Sequence, residues 1–190
     1  MHVSVDIDGV LLDIMVTYCE IFNKLYNTNY EKQDVKNWEF FRDWNITEKE
    51  AFEIFYKVYE NSTLIPFIDE DAPPILRELN LKHKIYIVTA RQAKFKIPTL
   101  EKLRIHGIKK NIHYEELLFL EPRPYDVKLQ HKFDIYIDDS PNLATSIMKL
   151  KDRILLLYDQ PWNQTVECNG NVFRVYNWKD IYHFFSDVGD

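Results

Sequence analysis

The segment His2–Asp13 reads HVSVDIDGVLLD, and its interpretation determines how the rest of the chain is understood. Because successive side chains of a β-strand point to opposite faces, its aliphatic residues can face a core while Asp6 and Asp8 lie together on the other face. Two carboxylates ~4 Å apart repel each other by about 4 kcal/mol at an effective dielectric constant of ~20. One of them would take up a proton unless a cation lies nearby. The segment therefore predicts a strand that ends in a cation-binding acidic pair.

The composition is that of a globular protein with a hydrophobic core. The chain has 190 residues, of which 46% are hydrophobic and 15% aromatic, and this excludes a disordered chain. The formal net charge of -6 argues against duplex nucleic acid as a partner. We also expect no membrane association and a cytoplasmic protein, because no apolar stretch reaches membrane-spanning length and the chain opens on a strand. Cys19 and Cys168 lack metal-ligand spacing and are interpreted as structural thiols.

Five short apolar runs alternate with segments of helical pattern. Continuous apolar runs are typical of strands that are buried on both faces of a parallel sheet. The alternation predicts an α/β fold, a Rossmann-like parallel sheet with helices on both faces. The runs are VSVDI at the start, KIYIVT ending at Thr89, LLFL near 118, FDIYID ending at Asp138 and RILLLY ending at Tyr158. Helices are expected from Pro98 to Gly107, from Ser140 and Pro141 to Leu150, and over the NWKDIYHFFSDV tail.

The interval between the first and second predicted strands is too long for an ordinary crossover. A helical pattern covers about 14–26, and Thr47 with Glu50 has the spacing of a capping box that begins a second helix. We therefore expect a helical cap inserted after the first strand and overhanging its end. The predicted domains are a cap over 14–75 and an α/β core formed by 1–13 and 76–190.

Aromatic residues are concentrated in one stretch of the predicted cap, WEFFRDW. Flat apolar side chains at this density can hold a base between them, and Trp38 and Trp44 are the principal candidates, with Phe40 and Phe41 beside them. The alternative is that these rings form the hydrophobic core of the cap, since aromatic residues mostly supply buried area.

Chemically reactive side chains follow several of the predicted strands. In an open α/β sheet, residues beyond the carboxyl ends of the strands converge although they are far apart in sequence. The residues concerned are Asp6 and Asp8, Thr89 in IVTAR, Lys128 in YDVKLQ, and Asp138 with Asp139. Carboxylates with a lysine and a hydroxyl suit a hard cation, and Mg²⁺ prefers carboxylates combined with a substrate phosphate. We therefore predict a Mg²⁺ site at which an ionised Asp6 can attack phosphorus.

The same residues resemble a known family. The segment DIDGV, then Thr89, Lys128 and the paired Asp138 and Asp139, in that order, resemble the four motifs of the haloacid dehalogenase superfamily of phosphohydrolases. Within it the chain most resembles the 5'(3')-deoxyribonucleotidases, in VDIDGVLLD, in IDDSPN and in the spacing of the lysine. The DQPWN segment at 159–163 resembles a segment of bacterial relatives, and the helical insertion is similar to the cap of one large subgroup.

The resemblance implies a role for each acidic residue. Asp6 is the expected nucleophile, which forms an aspartyl phosphate. Asp8 is the expected general acid for the leaving sugar oxygen and then the base for the attacking water. Mg²⁺ is expected to be held by the Asp6 carboxylate, the Asp8 backbone carbonyl and the acidic pair. In that pair the family pattern favours Asp139 as the ligand, while Asp138 orients Lys128 or a metal-bound water.

The resemblance assigns two further polar residues to the phosphate. Thr89 and Lys128 are expected to hold phosphoryl oxygens, and Lys128 also counters charge as the transition state forms. Arg91, which follows the threonine, either binds the phosphate or pairs with an acid of the cap. Ile14 stands where relatives that prefer pyrimidines have an aromatic residue, so the preferred base stays open.

These expectations combine into one function and two alternatives. We expect a Mg²⁺-dependent phosphatase of small molecules, namely (deoxy)nucleoside monophosphates. The first alternative is a phosphatase of the same superfamily that acts on another small phosphomonoester, such as a sugar phosphate. The second is a phospho-acceptor or nucleotide-binding module without turnover, because receiver domains also combine clustered aspartates with a threonine and a lysine. The oligomeric state and the choice between a 5' and a 3' phosphate stay open.

Overall fold

A parallel sheet of six strands lies at the centre of the protein, in the order β3-β2-β1-β4-β5-β6. The computed structural model describes residues 1–188. The strands are β1 His2–Val5, β2 Lys84–Thr89, β3 Glu116–Phe119, β4 Ile135–Asp138, β5 Ile154–Tyr158 and β6 Val172–Val175. The predicted α/β fold is confirmed, and the five apolar runs form five of the strands.

The two central strands explain why these runs are so apolar. β1 pairs with β2 on one side and with β4 on the other, so that Val5 lies opposite both Ile87 and Ile137. All three side chains are completely buried, as expected where helices cover both faces of a parallel sheet. The sixth strand escaped prediction because β6 lies at the edge of the sheet, where its sequence VFRV exposes Phe173 and includes Arg174.

Over residues 1–188, six α-helices accompany the sheet. They are α1 Ile14–Tyr26, α2 Glu48–Glu60, α3 Ala72–Lys82, α4 Lys96–Ile105, α5 Pro141–Ile147 and α6 Trp178–Val188. Ser140 caps α5 as predicted, because its hydroxyl accepts the Leu143 N–H at 3.2 Å. This helix ends three residues before the predicted Leu150, and α4 begins two residues before the predicted Pro98. Within residues 1–188, no helix is both long and apolar enough to cross a membrane.

The long interval between β1 and β2 is mainly helical and contains α1, α2 and α3. The predicted capping box is present, since the Thr47 N–H donates to Glu50 Oε2 at 2.7 Å and the Glu50 N–H donates to Thr47 Oγ1 at 3.2 Å. Apolar residues of this interval share one continuous core with the sheet. The division into a cap at 14–75 and a core stays a prediction, with its second boundary inside α3.

Candidate active site

Four predicted site residues meet at the carboxyl ends of β1 and β4. The Lys128 Nζ lies 2.8 Å from Asp6 Oδ1 and 2.6 Å from Asp138 Oδ2. Asp6, Asp138 and Asp139 each offer an oxygen, and these oxygens all lie within 4.8 Å of one another. All four side chains are buried. We refer to Asp6, Lys128, Asp138 and Asp139 below as the acidic cluster.

A tight turn after β1 places Asp6 against the acidic pair. The Asp6 N–H donates to the Ile137 carbonyl at 2.9 Å, which continues the pairing of β1 with β4 beyond the end of the strand. Gly9 then adopts a φ of +83°, and a Cβ at this position would collide with Asp139 Oδ2. Position 9 therefore requires glycine both for its backbone conformation and for its close approach to Asp139.

The two acids of the pair have different partners. Asp138 uses both oxygens, because Oδ2 contacts Lys128 and Oδ1 accepts the Ser140 N–H at 2.9 Å. In Asp139, Oδ2 accepts the Trp162 indole N–H at 2.9 Å, whereas the buried Oδ1 has no hydrogen-bond partner. A buried polar atom without a partner is costly, so Asp139 Oδ1 is the oxygen that is free to bind a cation.

The DQPWN segment contacts the acidic cluster and the turn at Gly9 through residues for which the sequence indicated no role. Besides the contact from Trp162, the Asn163 side-chain amide donates to the backbone carbonyl of Asp139 at 2.9 Å. The Gln160 side-chain amide donates to the Gly9 carbonyl at 2.7 Å. The one feature of the sequence that could have pointed to these residues is the resemblance of the DQPWN segment to a segment of bacterial relatives.

The acidic cluster carries more negative charge than its lysine neutralises. Burial raises the pKa of Asp6 to about 7; Lys128 opposes this rise, and the charges of Asp138 and Asp8 add to it. Burial also raises the pKa of Asp139 well above its usual range, with Asp138 and Asp6 contributing. Burial acts to lower the pKa of Lys128, but the attraction of Asp138 and Asp6 outweighs it and the net shift is upward. A second cation would relieve this excess charge.

The donor set of the acidic cluster fits Mg²⁺. All its candidate ligand atoms are carboxylate oxygens, which are the ligands that this hard cation prefers. One of them, Asp139 Oδ1, is buried without a partner. The carboxylate of Asp8 lies outside the group, so it is only through its backbone that Asp8 is expected to contribute to the metal site.

Arg91 occupies a different position from either prediction. Its Nε and Nη2 donate to the two carboxylate oxygens of Asp8 at 2.8 and 2.5 Å, and its Nη1 donates to the hydroxyls of Ser62 and Thr99 at 2.9 and 3.0 Å. The side chain is completely buried. The predicted contact with a substrate phosphate, or with an acid of the cap, is therefore corrected to a buried ion pair with Asp8.

Thr89 ends β2 beside the acidic residues, as predicted. Its side chain is 1% exposed, and its hydroxyl oxygen accepts the Arg91 backbone N–H at 3.2 Å. Thr89 lines the same pocket as Asp6 and Asp8. Because the hydroxyl accepts from the backbone, its own proton can be donated to a phosphoryl oxygen.

A pocket with mainly apolar walls opens onto these acids. Asp6, Asp8 and Asp139 lie on its acidic side, whereas most of the remaining lining is aromatic or aliphatic. Among the described residues, no lysine, arginine or histidine lines it. Its aromatic rings come from the insertion, from the loop after β3 and from the DQPWN segment. They belong to Trp38, Phe40, Phe41, Phe52, Phe55, Tyr56, Tyr59, Tyr125 and Trp162.

The two candidate tryptophans of the WEFFRDW stretch have separate positions. Trp38 lines the pocket and meets the Tyr125 ring edge-on at 6.0 Å. Trp44 does not line the pocket; it is 8% exposed and stacks on Tyr30 at 4.2 Å, so its predicted role in substrate binding is corrected to packing. The Trp44 N–H donates to the Phe40 carbonyl, and this helical spacing turns both side chains toward the hydrophobic core.

Comparisons with known proteins agree with this geometry. A family model described as "5' nucleotidase, deoxy (Pyrimidine), cytosolic type C protein" matches residues 1–188. A nucleotidase from Clostridium acetobutylicum is 26% identical over 187 residues, which cover 96% of this chain and 92% of that protein.

Solved structures share the fold over nearly the whole chain. A HAD family hydrolase from Deinococcus radiodurans, with bound phosphate and sodium, is 14% identical with a TM-score of 0.63, covering 99% of this chain and 96% of that one. Protein Tyrosine Kinase A from Mycobacterium tuberculosis is also 14% identical, with a TM-score of 0.68 and coverage of 100% and 98%. At these identities, the likeness is one of fold.

Proposed function

The chain belongs to the cytosolic type C family of 5' deoxynucleotidases within the haloacid dehalogenase superfamily and is a phosphomonoester hydrolase, and we propose that it hydrolyses (deoxy)nucleoside monophosphates with Mg²⁺. One observation carries the proposal. The buried Asp6 lies beside Lys128 and the acidic pair, at the acidic side of a pocket whose other walls are aromatic. The charged side suits a phosphate and a cation, and the aromatic side suits a base.

The metal would be held by Asp6, Asp139 and the backbone carbonyl of Asp8. The free Oδ1 of Asp139 supports this assignment, and Asp138 is instead occupied by Lys128 and the Ser140 N–H. Bound there, Mg²⁺ would neutralise the negative charge around Asp6 and act as a Lewis acid toward the phosphoryl oxygens. Lys128 and Thr89 would hold the phosphoryl oxygens in place.

The reaction would proceed in two displacements at phosphorus. In the first, an Asp6 oxygen bonds to phosphorus while the bond to the sugar oxygen breaks, and Asp8 transfers a proton to that oxygen; the products are a nucleoside and phosphorylated Asp6. In the second, Asp8 accepts a proton from a water whose oxygen bonds to phosphorus, and the bond to Asp6 breaks. Inorganic phosphate leaves, and both side chains return to their starting states.

The walls of the pocket favour a nucleoside over a sugar as the leaving group. A flat base can stack on Trp38 and its aromatic neighbours, whereas the hydroxyls of a sugar phosphate would meet mainly apolar atoms and lose hydrogen bonds to water. Since the described lining contains no basic side chain, the pocket offers no partner for a second phosphate. We therefore propose monophosphates as substrates. We also propose a cytoplasmic location, with which the two free thiols agree.

A panel of monophosphates tests this function. The purified protein is incubated with nucleoside, deoxynucleoside and sugar monophosphates, with Mg²⁺ or with a chelator, and phosphate release is measured. We expect Mg²⁺-dependent release that is fastest from nucleotides. Faster release from sugar phosphates would show that they, rather than nucleotides, are the substrate class. Stable phosphorylation of Asp6 without release would instead favour a phospho-acceptor module.

A further inference from the structure

We propose that Arg91 is a positioning residue, which holds the carboxylate of Asp8 toward the leaving group and ties it to the junction between the helical insertion and the sheet. The junction is the short turn Ser62–Leu64, which follows α2 inside the insertion and packs against α4, a helix that flanks the sheet. The inference rests on the proposed function, because it takes Asp8 to be the group that exchanges a proton with the leaving oxygen. The family motifs identified in the sequence include Asp8 but do not include Arg91.

The contact between the two side chains is a two-point fork. Arg91 Nε and Nη2 each donate to one oxygen of Asp8, so the guanidinium and carboxylate planes are fixed relative to each other. Asp8 still lines the pocket, and 18% of its side chain is exposed. Each carboxylate oxygen has a second lone pair, so Asp8 can hold the proton that it transfers while both contacts with Arg91 persist.

The guanidinium is itself held from several sides. Its Nη1 donates to Ser62 Oγ and Thr99 Oγ1, and these hydroxyls donate in turn to the carbonyls of Tyr59 and Phe95 at 2.6 and 2.8 Å. Their protons are thereby directed away from Arg91, and their lone pairs face it. The Arg91 Cζ also lies 4.6 Å from the centre of the Tyr59 ring.

These contacts connect three parts of the chain through one side chain. Tyr59 lies near the end of α2 and Ser62 lies in the junction. Thr99 belongs to α4, and Asp8 follows β1. The orientation of Asp8 therefore depends on where the insertion meets the sheet. Since Arg91 is completely buried, it has no exposed atom with which to bind the phosphate itself. Its effect on the reaction has to pass through Asp8.

A comparison of leaving groups separates positioning from a merely structural role. A sugar alkoxide needs a proton as it leaves, whereas 4-nitrophenolate is stable enough to leave without one. Single-turnover release of the leaving group reports the first displacement alone and leaves out the later role of Asp8 as base for the water. We expect Arg91→Lys to lower the single-turnover rate of nucleoside release from a deoxynucleoside monophosphate about 10- to 100-fold, because lysine cannot form the fork and small misplacements of catalytic groups are costly. The single-turnover rate of 4-nitrophenolate release should fall less than about threefold, and the apparent affinity should change little for both substrates.

Three further variants complete the experiment. Asp8→Asn should show the same selective loss for the nucleotide, and more strongly, because it removes the proton donor. Lys102→Met is the matched control, since Lys102 is a buried cation that donates to the Thr63 carbonyl in the same junction without contacting Asp8. It should leave the ratio of the two release rates unchanged. In Arg91→Ala, added guanidinium ion should restore nucleotide hydrolysis more than that of the aryl ester.

Each result either supports or overturns the inference. Equal losses of the release rate for both substrates in Arg91→Lys, weaker substrate binding without a change in release rate, or a ratio in Lys102→Met that shifts as in Arg91→Lys would each overturn it. Should Arg91→Lys fail to fold, two other measurements replace it. One is the rescue of Arg91→Ala by guanidinium ion. The other is the same comparison of substrates in Ser62→Ala, which removes only the hydroxyl that accepts from Arg91 Nη1. If the wild-type protein hydrolysed neither ester with Mg²⁺, the proposed function would fail instead, and the two failures are thereby distinguishable.

Discussion

The two sides of the pocket are built on opposite physical principles. The acidic cluster at the ends of β1 and β4 consists of buried charges, and four of its six carboxylate oxygens contact a lysine, a backbone N–H or an indole N–H. The helical insertion faces it with flat apolar rings that have few polar atoms. The charged side can fix a phosphate and a cation at defined distances, whereas the aromatic side can accept ring systems of different substitution. Under the proposed function, reaction chemistry and substrate choice would therefore belong to different segments of the chain.

The two regions also differ in their effect on stability. Burial raises the pKa of both Asp6 and Asp139, which means that the folded protein holds these carboxylates in an environment that opposes their charge. In the insertion, buried rings such as Phe22 and Trp44 each contribute about 1.5–3 kcal/mol through removal of apolar area from water. Packing of the insertion therefore helps to offset the unfavourable free energy of burying these carboxylates.

Removal of the proposed nucleophile is the most direct test of the acidic side of the pocket. Asp6→Asn keeps the shape of the side chain and should lower the rate of phosphate release by at least ~10⁴-fold, because an amide cannot form the phosphoenzyme. Thermal unfolding serves as the control and should show a folded protein, since the substitution removes one charge from an overcharged cluster. A variant that retained more than a tenth of wild-type activity would contradict the assignment of Asp6.

Lys128 tests whether the acidic cluster depends on its cation for stability. Lys128→Met leaves the buried Asp6 and Asp138 without a counter-charge and should lower the free energy of unfolding by about 3–5 kcal/mol in urea titrations. Lys102→Met is the matched control, because that buried lysine contacts a backbone carbonyl rather than a carboxylate. Similar losses in the two variants would show that the charge pairing has no special importance.

The two tryptophans sharpen the comparison on the aromatic side. Trp38→Ala should raise KM for a nucleotide about 10- to 100-fold, as expected for the loss of ~1–3 kcal/mol of stacking, and should lower the free energy of unfolding less than Trp44→Ala does, because Trp38 is only partly buried against the core. Trp44→Ala should leave KM within about twofold and instead lower the free energy of unfolding, because Trp44 packs in the core. Steady-state kinetics and urea unfolding of both variants measure the difference. A larger rise in KM for Trp44→Ala than for Trp38→Ala would show that the substrate contacts the Trp44 side of the WEFFRDW stretch.

Per pH unit, the smallest expected effect is a pH dependence of the stability of the metal-free protein. With its pKa raised from 3.8 to about 7, Asp6 binds a proton in the folded state over a range where the unfolded chain has released it. The free energy of unfolding should therefore fall as pH rises from about 4 to 7, by at most ~1.4 kcal/mol per pH unit for this group. Urea titrations at several pH values measure the slope, which should be shallower in Asp6→Asn. Saturating Mg²⁺ should reduce the loss in the wild type, and equal slopes in the two proteins would contradict the pKa of Asp6.

Local patterns in the sequence predicted the elements that carry their own signal. The end of β2 at Thr89, the α1 helix and the Ser140 cap follow from apolar runs, helical periodicity and capping chemistry, all of which act over a few residues. β6 lacked such a signal, because an edge strand is exposed and Arg174 interrupts its apolar character. The convergence of Asp6 with Lys128 was predictable because parallel strands direct their carboxyl ends to one edge of the sheet.

Contacts that depend on tertiary packing were not predictable in the same way. Asp8 and Arg91 are 83 positions apart, and only the junction of the insertion with the sheet decides that they pair. The tryptophans were a partial exception. The four-residue spacing of Phe40 and Trp44 already indicates a shared face, and with it a packing role for Trp44.

Gly9 has a consequence for how this enzyme can vary over evolutionary time. Any glycine codon becomes an alanine codon through a single base change, so this substitution arises repeatedly in a population. At position 9 the added methyl group would meet the carboxylate of Asp139, and the backbone conformation there also disfavours alanine. Selection for activity should therefore eliminate this change each time it arises.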